Sequence, residues 1–248
     1  MAIVLFTDFG TADIYVGQVK AVLLEHAPGQ SVIDLLNDAP AFNIRASAHL
    51  LAACARRLPP QAVVLAVVDP GVGSERDAVV VQAGERYFVG PDNGLLSVHA
   101  SRAGEARCWS IVRQPKDASA SFHGRDVFAP VAAAIAAGQW PAAWLAAKPR
   151  LAVDFGPDDA AEIIYIDHYG NACTGLRTSG GDRNAKLCIG GRVLAWRRTF
   201  SDAAAGDPFW YENSLGLVEI AFNGASAAAL LGLRIGDAVA LRSGEART

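Results

Sequence analysis

Cysteine is scarce in this chain and never closely paired: Cys54, Cys108, Cys173 and Cys188 stand far apart, with no Cys-x-x-Cys spacing. That argues against a disulfide framework or a structural zinc site and points to thiols in a reducing compartment. Charge is thin as well, at 19% of residues, and a net charge of −3 supplies no bulk field to recruit nucleic acid. Arg56-Arg57 and Arg197-Arg198 read as solvated surface pairs. The longest alanine-rich run, Ala129–Ala137, is too short to span a membrane and is closed by Gly138 and Pro141. The opening MAIVLFTDFG lacks the basic region and long apolar stretch of a signal peptide, so a cytoplasmic setting is expected. No Gly-x-Gly-x-x-Gly follows the first apolar run, and neither a P-loop lysine motif nor Gly-x-Ser-x-Gly occurs, leaving a dinucleotide site, a P-loop and a serine-hydrolase elbow unsupported. No metal-ligand spacing is evident either, and no metal is expected.

What is present is a core-forming chain of 248 residues, 52% of them hydrophobic, enough for one large domain or a medium domain plus a small one. Ile3–Phe6, Val32–Leu36 and Ala62–Val68 are apolar runs of strand length. Between them, Val16, Val19, Leu23 and Ala27, and then Ile44, Ala48, Leu51, Ala55 and Leu58, recur at helical spacing. This alternation predicts an α/β domain over residues 1–150 with a mostly parallel sheet. Ala78–Gln82 and Arg86–Val89 read as a hairpin, and a helix is expected from Phe122–Asp126 to about Ala137. Residues 151–160, rich in Pro and Asp, read as a linker. From 161 to 248 the rhythm changes to short strands separated by glycine-bearing turns, which predicts a small antiparallel β-barrel domain.

The candidate chemistry sits where strands end. Asp8, in Thr7-Asp8-Phe9-Gly10, closes the first strand, and Asp69, in Val68-Asp69-Pro70-Gly71-Val72-Gly73, closes the third; ligands of parallel α/β sheets bind at that edge. Asp8 suits a sugar diol or, equally, a helix cap or turn. Arg76 is close enough in sequence to hold Asp69 ionised, in a site or in a structural pair. His123, in Phe122-His123-Gly124-Arg125-Asp126, stands at a loop-to-helix junction, as a proton-handling group or a surface histidine. In the β-domain, Asp167-His168-Tyr169-Gly170-Asn171, Asn213-Ser214-Leu215-Gly216 and Asn223-Gly224-Ala225-Ser226 offer donors, acceptors and a stacking ring to a heterocycle; ordinary turns explain each singly.

Taken in order, these segments, with Pro91-Asp92-Asn93-Gly94, resemble the S-adenosyl-L-methionine hydroxide adenosyltransferase family over essentially the whole chain. That family is related to fluorinating and chlorinating enzymes acting on the same substrate. The resemblance implies a homotrimer with its active site between the N-terminal domain of one subunit and the C-terminal domain of its neighbour. It implies a water-handling triad of Asp69, Arg76 and His123 and a ribose-holding Asp8. Its substrate-binding set is completed by Phe9, Asp167, Tyr169, Asn171, Ser214, Phe222 and Asn223. Tyr169 stands where phenylalanine is usual, and Leu215 and Phe222 replace arginines of the fluorinating relatives. The expected reaction is hydrolysis of S-adenosyl-L-methionine to adenosine and L-methionine, with no cofactor and no partner beyond the small-molecule substrate and the chain's own copies. Halide transfer, non-catalytic binding of adenosine or its sulfonium parent, and nucleoside hydrolysis are the alternatives.

Overall fold

The structure is a computed structural model that describes residues 1–113, 115–178 and 183–243. The chain divides into two compact units, Met1–Asp158 and Asp159–Thr248.

The first unit contains seven strands, β1 (Ile3–Thr7), β2 (Val32–Leu36), β3 (Val63–Val67), β4 (Ala78–Ala83), β5 (Arg86–Pro91), β6 (Ala106–Ile111) and β7 (Leu145–Lys148). Its helices are α1 (Ile14–His26), α2 (Ile44–Ala55), α3 (Ser97–Arg102) and α4 (Ala129–Ala136). The strands form one sheet in the order β2-β1-β3-β5-β4-β6-β7. β1 and β3 are buried along their whole length, as their near-continuous apolar sequences require of central strands covered on both faces. Ile3, Leu5, Val63, Leu65 and Val67 face Val19 and Leu23 of α1 and the alanine-rich side of α4. Val4, Phe6, Val64, Ala66 and Phe88 are equally buried but lie outside that cluster. On Phe88 rests His99 of α3, at a ring separation of 4.3 Å.

The sheet is mixed rather than mostly parallel. Parallel pairing runs through β2, β1, β3 and β5, and antiparallel pairing through β5, β4, β6 and β7. A parallel join needs a crossover of a dozen residues or more, whereas only Gly84 and Glu85 separate β4 from β5. Residues 151–158 are not a free span: Phe155 packs on Ala48, Ala52 and Val98, and the Ala152 N–H donates to both carboxylate oxygens of Asp92 at 2.9 and 3.1 Å.

The helix expected from residue 122 is present as a continuous run, Gly124 to Ala136, that changes its hydrogen-bond ladder on the way. Gly124–Phe128 form a π-helical turn, closed by the Ala129 N–H on the Gly124 carbonyl, before α4 begins. Pro130 has no N–H to give the Asp126 carbonyl, so the regular ladder restarts beyond it.

The second unit contains β8 (Ala160–Ile166), β9 (Ala172–Arg177), β10 (Lys186–Ile189), β11 (Arg192–Trp196), β12 (Pro208–Glu212), β13 (Leu217–Phe222) and β14 (Val239–Arg242), with a short α-helix, α5 (Ala227–Leu231), after β13. They form a sheet in the order β14-β10-β11-β12-β13-β9-β8. A bridge between Glu162 and Ala238 brings its two ends together, so the sheet is nearly a barrel. Its pairings are antiparallel except β11 with β12, which the connection through residues 197–207 makes parallel. Val218, Ile220 and Phe222 alternate inward onto Ile163, Leu187, Leu194 and Trp210.

Candidate functional site

Two clefts, one in each unit, collect the residues singled out above. The first, of about 410 Å³, opens at the C-terminal ends of β1 and β3 and is lined by Asp8, Phe9, Tyr15, Phe42, Asp69 and His123, among others. Asp8 follows β1 directly, and its N–H donates to the Val67 carbonyl at the end of β3 at 3.2 Å. That bond aligns the two strand ends and brings Asp8 and Asp69 into one cleft.

The loop after β3 is pressed against the segment that carries His123. At Gly73, φ is +81°, and a β-carbon there would stand 2.7 Å from the Ala120 carbonyl oxygen, so glycine is required. The loop at 118–123 is itself tied down, because the Ser119 N–H donates to Asp126 at 2.8 Å and Arg125 grips that carboxylate with two hydrogen bonds. Arg125 also donates to Gln18 of α1 at 2.7 Å, fixing the π-helical turn to the helix beside it.

Within this frame Arg76 is the hub. Its Nε donates to Asp69 Oδ1 at 2.9 Å, a second nitrogen donates to Asp69 Oδ2, and the same nitrogen lies 3.1 Å from His123 Nδ1. The pair is nearly dry, with the arginine side chain 10% and the aspartate side chain 4% exposed. The guanidinium also lies 5.4 Å from the ring centre of Phe128. Because arginine can only donate, His123 Nδ1 is the acceptor, and the proton of the neutral ring is on Nε2. Burial, and then the neighbouring Arg76 charge, lower the His123 pKa from its ordinary 6.5, which keeps the ring neutral. Asp8 is pushed the other way: burial raises its pKa above the ordinary 3.8, with Asp69 adding to the rise, although the Phe42 N–H donates to it at 3.4 Å.

An aromatic corner flanks these groups. Phe9, Tyr15 and Phe122 contact one another at ring separations of 6.1, 5.7 and 5.4 Å. Phe42 is 79% exposed at the rim, with φ of +61°, a left-handed conformation unusual for a bulky residue. Sequence reasoning missed Tyr15 and Phe42; the turn at Pro40 before an aromatic was the available signal for the latter.

The second cleft, of about 730 Å³, lies on the barrel unit and is lined by Asp167, Tyr169, Asn171, Phe200, Tyr211 and Phe222, together with Gly224, Ala225 and Ser226. Asp167 organises its rim: Oδ1 accepts from the N–H groups of Tyr169 and Asn171 at 2.9 and 2.8 Å, and Oδ2 from the Asn171 amide at 2.8 Å. Tyr169 is left 76% exposed. Tyr211 turns its hydroxyl onto buried Glu219, whose other oxygen accepts from Asn213 at 2.8 Å. Burial raises the pKa of Glu219 and drives that of Tyr211 strongly upward. Ser214 is exposed on the turn after β12, and the Asn223 amide donates to the Ala203 carbonyl at 3.1 Å; neither lines this cleft. Phe200 and Tyr211 were not anticipated.

Among the described residues, no cluster of three or more His, Cys, Asp or Glu side chains is arranged to hold a metal ion, and no helix is long and apolar enough to cross a membrane. No disulfide joins the four cysteines.

The chain matches two family models, the SAM hydroxide adenosyltransferase N-terminal domain over residues 3–144 and the SAM hydroxide adenosyltransferase C-terminal domain over residues 161–240. It is 42% identical to an (R)-S-adenosyl-L-methionine hydrolase of Thermus thermophilus, covering 95% of this chain and 97% of that protein. A crystal structure of an uncharacterized conserved protein from Thermotoga maritima superposes with a TM-score of 0.87 at 31% identity, covering 96% of this chain and 99% of that one. A fluorinase of an Actinoplanes species is more distant, at 24% identity over 94% of this chain and 95% of its own.

Proposed function

The chain belongs to the SAM hydroxide adenosyltransferase family, and on that premise we propose that it is an enzyme that hydrolyses S-adenosyl-L-methionine to adenosine and L-methionine by attack of water at the ribose C5′ carbon. The observation that carries this reading is the hydrogen-bonded set of Asp69, Arg76 and His123 in the wall of a cleft that also holds Asp8. Binding a nucleoside requires no such set; orienting and deprotonating a water does.

The chemistry balances without a cofactor or a metal. The C5′–O bond forms as the C5′–S bond breaks, and the sulfonium takes the bonding pair and leaves as a neutral thioether, so no general acid is needed. The proton of the attacking water goes to Asp69, which retains acceptor capacity beyond its bonds to Arg76. His123, with its proton on Nε2, donates to the water oxygen and aims a lone pair at carbon. Arg76 offsets the negative charge that develops there. Holding water in line behind C5′ is worth up to about 7–11 kcal/mol in favourable cases. Asp8 takes the ribose diol, Phe9 packs beside it, and Asp167, Tyr169, Asn171 and Phe222 serve the base and the methionine portion. We further propose a cytoplasmic homotrimer in which these two sets of residues come from neighbouring copies.

A halide nucleophile fits less well, since the Asp69 carboxylate in the same wall repels a desolvated anion. The test is to separate the products of a substrate incubation. Adenosine and methionine are expected; intact substrate at the blank rate points to a binder, and free adenine to nucleoside hydrolysis.

A further inference from the structure

A second cavity stands behind the candidate triad. It measures about 400 Å³ and is lined by Ser74, Glu75, Arg76, Asp77, Arg113 and His123, with Ala118 and Val127 closing it among other residues. His123 is shared between this rear cavity and the front cleft; Asp69 lines only the front and Arg76 only the rear. The wall between the two spaces is therefore the Asp69–Arg76–His123 hydrogen-bonded set itself.

We propose that the rear cavity is the water reservoir of the reaction, delivering the nucleophile to His123 while the front cleft is filled by substrate. This rests on the hydrolysis reading. Each turnover consumes one water, which must reach C5′ from the side opposite sulfur. A nucleoside-sized ligand fills a cleft of about 410 Å³ and blocks the front approach. At ~30 Å³ per molecule the rear cavity has room for roughly a dozen waters, and its lining supplies the polar partners that ordered water needs. Arg113 is stacked on Trp144 at 4.1 Å and Asp77 is paired with Lys148, while exposed Glu75 turns its carboxylate to solvent and adds an acceptor for water.

The test is a graded filling of the rear cavity at Ala118, which has no part in the candidate catalytic or binding set. Ala118→Ser, Ala118→Leu and Ala118→Phe are compared with the unsubstituted enzyme for kcat, KM and adenosine affinity. The serine variant is expected to behave as the parent. The leucine and phenylalanine variants should lose kcat in order of side-chain volume, the larger by at least about tenfold, with KM and adenosine affinity within about twofold. The leucine variant decides the matter if the phenylalanine variant does not fold. Unchanged kcat in the filled variants, or a loss that appears in KM instead, overturns the reservoir while leaving hydrolysis intact. Absence of adenosine formation by the parent overturns the hydrolysis reading itself.

Discussion

The two clefts are built on opposite plans. In the first, the polar groups are locked before any ligand arrives: Arg76 grips Asp69 with two bonds, reaches His123 with a third, and both members of the ion pair are almost dry. In the second, hydrogen bonds tie Asp167 to Asn171 and Glu219 to Tyr211 and Asn213, but among the described residues no ion pair is sealed in the wall, and the ring of Tyr169 is left largely in solvent. The difference matches a division of labour. Reorganising charge during a reaction is costly, so groups that act on a transition state are preorganised in a low-dielectric wall. Groups that recognise a base and an amino acid can be ordered by the ligand itself, at a modest entropic cost. The fold supplies the first plan through two central strands ending side by side and the second through turns on a small barrel.

Three substitutions and one pH profile sharpen this contrast. Asp69→Asn and His123→Ala should carry the largest effect, lowering kcat by roughly 10²–10⁴ while adenosine affinity stays nearly intact. Steady-state kinetics beside adenosine titration would check this, and unchanged kcat in both variants would reduce the first cleft to a binding surface. Tyr169→Ala should do the reverse, raising KM about tenfold through the loss of roughly 1–3 kcal/mol of base stacking, with kcat almost unmoved. A fall in kcat alone would dissolve the distinction between the clefts. The mildest effect is on pH. His123 must be neutral and its pKa lies below the ordinary 6.5, whereas Asp8 must be ionised and its pKa lies above the ordinary 3.8. As pH falls, protonation of either removes activity, so kcat/KM should fall on the acid side with its limb above the ordinary carboxylate value of 3.8, and a limb at or below 3.8 would contradict it.

Much of the first unit was legible because its central strands are short apolar runs bounded by breakers: Val32–Leu36 was expected with its observed ends, and β1 and β3 within a residue of theirs at each end. The mixed sheet was less so, since β6, Ala106–Ile111, is interrupted by Arg107 and Ser110, β7, Leu145–Lys148, is only four residues long, and both extend the sheet antiparallel. In the barrel, β9 was hidden by Gly175. That residue reads as a turn but lies inside the strand, where a β-carbon would stand 2.6 Å from the Ala160 carbonyl oxygen. β12 was hidden by Pro208 at its first position. The candidate site was legible as a set of strand-end loops punctuated by proline and glycine. What no local pattern shows is that Arg76 and His123, 47 residues apart, share a hydrogen bond. That depends on the close approach of Gly73 to Ala120. Tyr15, Phe42, Phe200 and Tyr211 escaped for a related reason: an aromatic residue reads as core until the surface around it is known.

The most direct measurement is hydrolysis in water enriched in oxygen-18. S-adenosyl-L-methionine carries no oxygen on C5′, so attack at that carbon predicts adenosine labelled at its 5′ oxygen and unlabelled methionine. Unlabelled adenosine, or label appearing in homoserine beside a methylthio-nucleoside, would contradict the account.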